Sequence, residues 1–250
     1  MMLAICMPVF NEQDGIASYI QEISESFSDL KFKLIITEDR SSDKTKNILL
    51  GCQKKVDNLI IINHESNQGH GISLIDSVNV ALQSRVQFIL TCDGDGQVSG
   101  RALRSFFDSF ESSSCLYGEG FRSNRKDPWF RRIISFYTRL LIYIASGKRT
   151  RDGNTPVRIY RLETAEKLWR PLIKEPTIIP NLYISSFARI MNFSIHIEPI
   201  VWRDRLGQSV VGAGWGLPKF AALPSKRFVS FCREATVQWC TKTPKKRLKV

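Results

Sequence analysis

The sequence is poor in the residue patterns from which disulfide frameworks and zinc sites are built. Its six cysteines are scattered, with no C-x-x-C pair, and its three histidines, His64, His70 and His196, lie far apart. Isolated cysteines in apolar stretches are typical of small buried side chains in a reducing compartment. We therefore expect structural or surface roles for the histidines, and cysteines that are not paired.

Long apolar runs are missing as well. The first residues, MMLAICMPVFNE, contain no basic segment followed by an apolar core of signal-peptide length. The longest apolar candidate, residues 133–146, is too short to span a bilayer and contains Arg139. These absences predict a cytoplasmic protein. Any contact with a membrane would then be peripheral, at its inner face.

No internal repeat or low-complexity linker divides the chain. Its 250 residues, 43% of them hydrophobic, fit one large domain or one domain with a small appendage. The net charge of +12 and the pI of about 9.6 indicate an anionic partner. Nucleic acid, a membrane surface and a phosphorylated substrate are all compatible with that charge.

The first hundred residues alternate between strand and helix patterns. The predicted strands are 3–9, 32–37, 59–63 and 86–91, and the predicted helices are 14–27, 43–52 and 72–82. This alternation predicts an α/β fold, with a mostly parallel sheet covered by helices on both faces. In such sheets ligands bind beyond the carboxyl ends of the strands, where the polar clusters 8–12, 38–43 and 93–97 fall.

The second half is less regular. We predict strands at 116–118, 157–161 and 193–201 and a helix at 180–191, with a basic stretch at 120–132 and a loop at 203–216. The amphipathic segment 133–146 has two interpretations: a helix packed on the sheet or at a dimer interface, which its apolar face favours, or a helix lying on an anionic membrane together with the aromatic and basic segment 219–240.

The stretch TCDGDGQ, residues 91–97, places two carboxylates directly after a predicted strand. Asp93 and Asp95 are two residues apart, so in an extended chain they point the same way and repel each other. A Mg²⁺ or Mn²⁺ ion between them would relieve the repulsion, and such ions take one or two carboxylates plus phosphate oxygens. The alternative is a plain polar turn, because Asp and Gly are ordinary turn residues.

Seven short motifs in order resemble glycosyltransferase family 2. They are MPVFNE (7–12), TEDRSSDKT (37–45), NQGHG (67–71), CDGDGQ (92–97), GFRSNR (120–125), DGNTPVR (152–158) and RDRLGQS (203–209). The resemblance implies the GT-A fold and an inverting, metal-dependent transfer of a sugar from a nucleotide-sugar donor. The arrangement particularly resembles the dolichyl- and polyprenyl-phosphate sugar transferases.

The resemblance also implies roles for individual residues on the donor side. Residues 1–98 would form the nucleotide-binding half. Asp39 would bind the nucleotide base, and Asp93 and Asp95 would hold Mn²⁺ or Mg²⁺ against the diphosphate of a UDP- or GDP-sugar. The remaining donor-binding candidates are Pro8, Asn11, Glu12, Glu38, Gly69 and Gln97.

Residues 99–212 would form the acceptor-binding half, and 213–250 a basic and aromatic extension. The acceptor would be a polyprenyl phosphate or a growing cell-surface glycan. The catalytic candidates are Asp95, Asp152 and Arg122. The candidates for holding a lipid phosphate are Arg122, Arg125, Arg131 and Arg132, because the planar guanidinium of arginine suits phosphate. Arg205 and Ser209 fit a late loop that folds over the donor diphosphate.

Several positions depart from the family pattern. Glu38 stands where Asp is usual and Arg40 where Gly is usual, while Pro156 and Val157 replace a glycine and an aromatic residue. A nucleotidyltransferase is a weaker alternative, because the loop after the first strand is acidic rather than glycine-rich and basic. A nucleic-acid- or membrane-binding relative without catalysis is the other alternative, although no nucleic-acid-binding signature appears and the Asp93-Gly94-Asp95 motif is intact.

Overall fold

The strands of the computed structural model form one mixed sheet across the described residues, which are 2–123, 129–207 and 226–242. The strands are β1 (Met2–Val9), β2 (Lys31–Glu38), β3 (Leu59–Asn63), β4 (Phe88–Thr91), β5 (Tyr117–Arg122), β6 (Arg158–Arg161) and β7 (Ile195–Ile200). The helices are α1 (Ile16–Ser26), α2 (Thr45–Gln53), α3 (His70–Leu82), α4 (Gly100–Glu111), α5 (Trp129–Ser146), α6 (Leu162–Lys174), α7 (Pro180–Ile190) and α8 (Lys226–Lys242).

The strand order is β3-β2-β1-β4-β6-β5-β7, and β6 alone runs antiparallel to both of its neighbours. The other neighbouring strands pair in parallel. The prediction of an α/β fold with a mostly parallel sheet is therefore confirmed. The reversal at β6 was not predicted.

Two apolar layers sandwich the sheet. Successive side chains of β1 alternate between them, with Leu3, Ile5 and Met7 on one face and Ala4 and Cys6 on the other. The first face packs against α1 and α4, and the second against α3, α6 and α7. A strand buried on both faces reads as a continuous apolar run, which is why β1 is recognisable in the sequence.

A third, smaller cluster joins three helices of the second half. Leu141 and Ile142 of α5 pack with Leu182 of α7 and Trp239 of α8. Gln238 of α8 accepts hydrogen bonds from the Thr177 side chain and from a backbone N–H just before α7. No helix in the described ranges has the length and apolar character needed to cross a bilayer.

The predicted elements of the first half agree with the structure to within about two residues. The differences lie further on: β5 extends to Arg122 rather than ending at 118, and α4 and α6 had no predicted counterpart. Both missed helices are amphipathic. Their buried side chains recur at intervals of three and four residues, as in Leu103, Phe106, Phe107 and Phe110.

Candidate active site

The sheet register brings the polar motifs of both halves to one edge. Thr91 at the end of β4 pairs with Arg158 at the start of β6, and Glu119 in β5 also pairs with Arg158. Because β6 is reversed, the loop before it and the chain after β5 meet the carboxyl ends of β1, β2 and β4. Ile200 pairs with Arg122, so the segment that follows β7 arrives at the same edge.

Asp93 and Asp95 occupy the loop that follows β4. Asp93 Oδ1 lies 2.8 Å from His70 Nε2 at the start of α3. Asp95 Oδ1 accepts a hydrogen bond of 3.1 Å from the Gln97 backbone N–H, and Asp95 Oδ2 accepts one of 3.2 Å from the Arg205 guanidinium. The loop therefore presents two carboxylates, each already contacted by one cationic or ionisable side chain.

The pKa values of the three carboxylates at this edge are shifted in different directions. Burial, followed by the charge of Asp93, raises the pKa of Asp95. Burial also raises the pKa of Glu12 to about 7, opposed by Arg205 and reinforced by the two aspartates. The pKa of Asp93 is lowered because His70 outweighs the effect of burial, with help from Arg122 and Arg205.

The chemistry of this donor set fits a divalent cation shared with a phosphate group. A bound Mg²⁺ or Mn²⁺ ion needs only one or two protein carboxylates when phosphate oxygens complete its shell. Within the described residues no group of three or more His, Cys, Asp or Glu side chains forms a complete metal site. A metal ion bound in this loop would be held by Asp93 and Asp95, with a ligand supplying the rest of its coordination shell.

Asp39 lies at the end of β2, and its carboxylate closes onto the loop before α3. Its Oδ1 lies 2.8 Å from His64 Nδ1 and accepts a hydrogen bond of 2.7 Å from the Gln68 N–H, while Oδ2 accepts one of 2.8 Å from the Gly69 N–H. The second ring nitrogen of His64 lies 2.9 Å from Asp76. Asp39 is therefore held in one orientation by its neighbours.

The loop after β1 is tied to the loop after β2. Asn11, in a left-handed conformation with φ of 54°, accepts a 2.8 Å hydrogen bond from the Ser42 N–H, and the Glu12 N–H donates to Thr45 Oγ1 at 2.8 Å. Glu38 is fully buried; its Oε1 accepts from the Ser41 N–H at 2.6 Å, and its Oε2 has no hydrogen-bond partner among the described residues. Pro8 precedes this loop within β1.

Arg122 and Asp152 face each other at the far side of the edge. Arg122 Nε lies 4.0 Å from Asp152 Oδ2, and the guanidinium lies 4.0 Å from the centre of the Trp202 ring. That Nε is buried and donates no hydrogen bond to any described residue. A buried guanidinium donor without a partner is unfavourable, so a hydrogen-bond acceptor on a ligand would stabilise it.

The segment 203–207 is anchored directly on the Asp95 loop. Arg203 donates from its backbone to Gln97 O at 2.9 Å and from Nε to Gly96 O at 2.7 Å, and the Leu206 N–H donates to Asp95 O at 3.0 Å. Gly96 has φ of 67°, and a Cβ there would overlap the Leu206 side chain. These contacts deliver Arg205 to Asp95 and, at 3.5 Å, to Glu12.

A buried ionic network, which the sequence analysis did not predict, supports the Asp152 loop from beneath. Glu119 accepts hydrogen bonds from Arg189 at 2.6 and 2.9 Å, from Arg158 at 3.2 Å and from Ser185 at 2.8 Å. Arg158 also donates to the carbonyl of Gly153 at 3.1 Å, beside Asp152. The two guanidinium groups hold the pKa of Glu119 at about 2 although burial opposes this.

Some predicted residues cannot be placed. Arg125 and Ser209 lie outside the described residues, as do the side chains of Arg131 and Arg132 in the first turn of α5. The structure brings together the other predicted residues in two groups, one around Asp93 and Asp95 and one around Arg122 and Asp152. His64 and His70 belong to the first group through their contacts with Asp39 and Asp93.

Comparison with known proteins identifies the family. The profile of the family described as "Glycosyl transferase family 2" matches residues 4–179. An undecaprenyl-phosphate 4-deoxy-4-formamido-L-arabinose transferase of Serratia proteamaculans is 25% identical over 190 residues, which are 75% of this chain and 56% of the relative. A dolichyl-phosphate beta-glucosyltransferase of Trichomonas vaginalis is 20% identical over 227 residues, covering 85% of this chain and 69% of the relative.

Solved structures share the fold at low sequence identity. A mannosyltransferase from Pyrobaculum calidifontis, in complex with GDP-Man and Mn²⁺, superposes with a TM-score of 0.58 at 12% identity, over 96% of this chain and 62% of that one. Glucosyl-3-phosphoglycerate synthase from Mycobacterium tuberculosis, in complex with Mn²⁺, UDP and phosphoglyceric acid, superposes with a TM-score of 0.62 at 14% identity, over 86% of this chain and 74% of that one.

The chain spans little more than half the length of several curated relatives. The Serratia proteamaculans transferase is one of them, with 56% of its length covered.

Proposed function

Because this chain belongs to glycosyl transferase family 2, we propose that it transfers a sugar from a nucleotide-sugar donor to a polyprenyl phosphate with inversion at the anomeric carbon. The observation that carries the proposal is that an acidic group and a group containing an arginine lie at the same sheet edge. Asp93 and Asp95 form an acidic group suited to a metal diphosphate. Arg122 lies beside Asp152, and its Nε has no hydrogen-bond partner among the described residues.

Residues 1–98 supply the donor site in this proposal. Asp39 Oδ2 accepts only one hydrogen bond from the described residues, so it retains a lone pair for an N–H of the nucleotide base. Pro8, Asn11, Glu12 and Glu38 shape the pocket for the base and ribose, and Gly69 lets the backbone approach the donor. His64, which bridges Asp39 and Asp76, fixes the direction of the Asp39 carboxylate.

Asp93 and Asp95 would hold Mn²⁺ or Mg²⁺, with the Gln97 N–H fixing the Asp95 carboxylate. When bound, the ion would neutralise charge on the nucleoside-diphosphate leaving group. Arg205 now contacts Asp95 and Glu12. Because a bound cation would take over part of that neutralising role, Arg205 would turn its guanidinium to a diphosphate oxygen. Ser209, which lies outside the described residues, is assigned to the diphosphate from its sequence motif alone.

Residues 99–212 supply the acceptor site. An oxygen of the lipid phosphate forms the new bond to the anomeric carbon while the bond from that carbon to the diphosphate oxygen breaks, and the nucleoside diphosphate leaves with the electron pair. A phosphate nucleophile is already ionised, so its main need is for cations that hold it in place. Arg122 serves this purpose, and Asp152 fixes its guanidinium at the reacting edge. Arg131 is assigned the same purpose from the sequence alone, because its side chain lies outside the described residues.

The donor site is tested by thermal-shift titration with UDP, GDP and their sugar conjugates, with and without Mn²⁺. A ligand that binds only the folded state raises the melting temperature once its concentration exceeds the Kd. We expect one nucleotide series to stabilise the protein in a metal-dependent way, and Asp95→Asn to abolish the shift. Asp57→Asn, the same chemical change at an exposed turn, serves as the matched control and should keep the shift.

The acceptor is tested by sugar transfer to a short polyprenyl phosphate, against the matching polyprenyl alcohol. The proposal requires product from the phosphate only, with the opposite anomeric configuration to that of the donor. Transfer to the alcohol at an equal rate would exclude the phosphate acceptor. A lack of any metal-dependent nucleotide binding would exclude the donor site itself.

A further inference from the structure

The outward face of α5 carries a stripe of large apolar side chains. Phe136, Leu140, Tyr143 and Ile144 are 61%, 40%, 50% and 65% exposed, and their spacing of three and four residues places them on one side of the helix. We call these four residues the α5 surface. Since most large apolar side chains of a soluble domain lie inside, a row of this kind on one helix marks an interaction surface.

The opposite side of α5 already has its packing partners. Leu141, Ile142 and Ala145 are at most 8% exposed and pack in the cluster formed with α7 and α8. The helix therefore does not need the α5 surface for its packing against α7 and α8. The helix is apolar on both sides, which is unusual unless the outer side also meets an apolar environment.

The charged side chains of α5 itself are all positive. The sequence of α5 contains no aspartate or glutamate, and Arg139 lies on the outward face between Phe136 and Tyr143 by helical spacing. Lys148, Arg149 and Arg151 are exposed directly after the helix. Aromatic and aliphatic side chains flanked by arginine and lysine are the composition of helices that lie in the interface of an anionic bilayer.

The α5 surface is also close to the proposed acceptor site. Asp152 follows the last residue of α5 by six positions, and Gly153 packs so closely on Ile142 that a Cβ would overlap that side chain. The loop that carries Asp152 thus rests on the inner side of the same helix. A bilayer against the outer side would then lie one helix diameter, about 10 Å, from the loop that carries Asp152.

We propose that the α5 surface docks on an anionic lipid bilayer and so presents the acceptor side of the active site to membrane lipids. The choice of a bilayer over a second copy of the chain follows from charge. An isologous contact centred on the α5 surface would bring Arg139 of both copies close together, whereas an anionic surface attracts Arg139 and the basic residues that follow the helix. The link to the acceptor rests on the proposed function; the docking itself does not.

Vesicle sedimentation without any donor tests the docking. The probes are vesicles of phosphatidylcholine alone and of an equal mixture of phosphatidylcholine and phosphatidylglycerol. We expect binding to the mixed vesicles that weakens with added salt, and a loss of about tenfold or more in Phe136→Gln/Ile144→Gln, because two apolar side chains no longer enter the interface. Leu50→Gln/Ile197→Gln removes exposed apolar side chains from α2 and β7 and should leave binding unchanged.

Three outcomes would overturn the proposal. They are no binding of the wild type to the mixed vesicles, an equal loss in both double variants, and a dimer in sedimentation equilibrium that Phe136→Gln/Ile144→Gln converts to a monomer. Both α5 substitutions are at positions more than 60% exposed, and circular dichroism melting checks that the fold is kept. Nucleotide binding by a variant that no longer sediments would separate a failure of docking from a failure of the donor site.

Discussion

Two clusters of charged side chains, one in each half of the sheet, have opposite balances of negative and positive charge. The cluster at the proposed donor site, which we call the donor-side cluster, contains three carboxylates, from Glu12, Asp93 and Asp95, against Arg205 and the ionisable His70. The buried network of the second half contains one carboxylate, Glu119, against two arginines. The donor-side cluster has more carboxylates than positively charged partners, whereas the buried network has more arginines than carboxylates.

The pKa values record this difference. Burial raises the pKa of Glu12 to about 7, and Arg205 does not compensate for it. Burial also acts on Glu119, yet hydrogen bonds and charge from Arg189 and Arg158 bring its pKa down to about 2. Burial alone therefore does not identify a functional carboxylate. The donor-side cluster is the one that a cationic ligand would complete, whereas the buried network is complete without any ligand.

Removing the carboxylate of the buried network should have the largest effect on stability. Glu119→Gln leaves the buried guanidinium groups of Arg158 and Arg189 without a counter-ion, and we expect a loss of about 3–5 kcal/mol in the free energy of unfolding. Urea denaturation measures it. Glu166→Gln breaks an exposed helical pair with Arg170 and should cost less than about 1 kcal/mol. Equal losses in the two variants would contradict the contrast.

Acid should remove the same contribution from the wild type. The pKa of Glu119 is lower in the folded state than its ordinary value of 4.5, so its stabilising contribution is present above about pH 4.5 and is lost as the pH falls towards about 2. The difference in unfolding free energy between the wild type and Glu119→Gln should therefore shrink over that interval. A difference that stays constant with pH would show that the carboxylate charge is not what matters.

On the donor side, loss of a cation should weaken ligand binding more than stability. If Arg205 contacts the diphosphate, Arg205→Gln removes one charged hydrogen bond of about 1.5–3 kcal/mol, and we expect a donor Kd about 10–100-fold higher. Isothermal titration calorimetry with Mn²⁺ and the nucleotide found by thermal shift gives the value. Arg101→Gln, an exposed arginine on α4, is the matched control. An unchanged Kd in Arg205→Gln would remove that residue from the donor site.

The smallest expected effect is a gain in stability. The pKa of Glu12 is raised in the folded state, so the stability it contributes is present below about pH 4.5 and lost as the pH rises through about 7. Glu12→Gln avoids that loss, and we expect it to be more stable than the wild type by about 1 kcal/mol at pH ~8, with no advantage below pH ~4.5. Thermal unfolding at both pH values checks the sign. A destabilised variant at pH ~8 would make Glu12 a structural residue.

The donor side could be predicted from the sequence because its signals are local. A buried strand such as β1 is a continuous apolar run, and each polar cluster follows its strand directly. Asp39, Asp93 and Asp95 were placed on one edge by strand direction alone, and the structure has them there. The sequence could also have revealed α4, because Ser99 caps it by accepting from the Ala102 N–H and its apolar residues have helical spacing.

The acceptor side was harder to predict because its contacts are distant in sequence. Glu119 forms hydrogen bonds with Arg158 and Arg189, which are 39 and 70 residues away in the sequence. No local sequence pattern indicates that any of these three side chains is buried. In β5, Gly118 and Gly120 obscure the strand pattern; they are there because a Cβ would overlap Ile159 and Ile200. The reversal of β6 has no sequence signature either, since a strand of four residues carries no information about its direction.

The reversed strand has a consequence for how the sheet can assemble. Glu119 and Arg158 are direct cross-strand partners, so a slip of β6 by one residue would turn Arg158 to the opposite face and bring Ile159 against the Glu119 carboxylate. In that misaligned state the buried Glu119 carboxylate would lose one arginine partner, and the charged Arg158 side chain would lie in the apolar layer on the opposite face. The ion pair therefore specifies a single alignment of β6, a strand too short to define one by its apolar side chains.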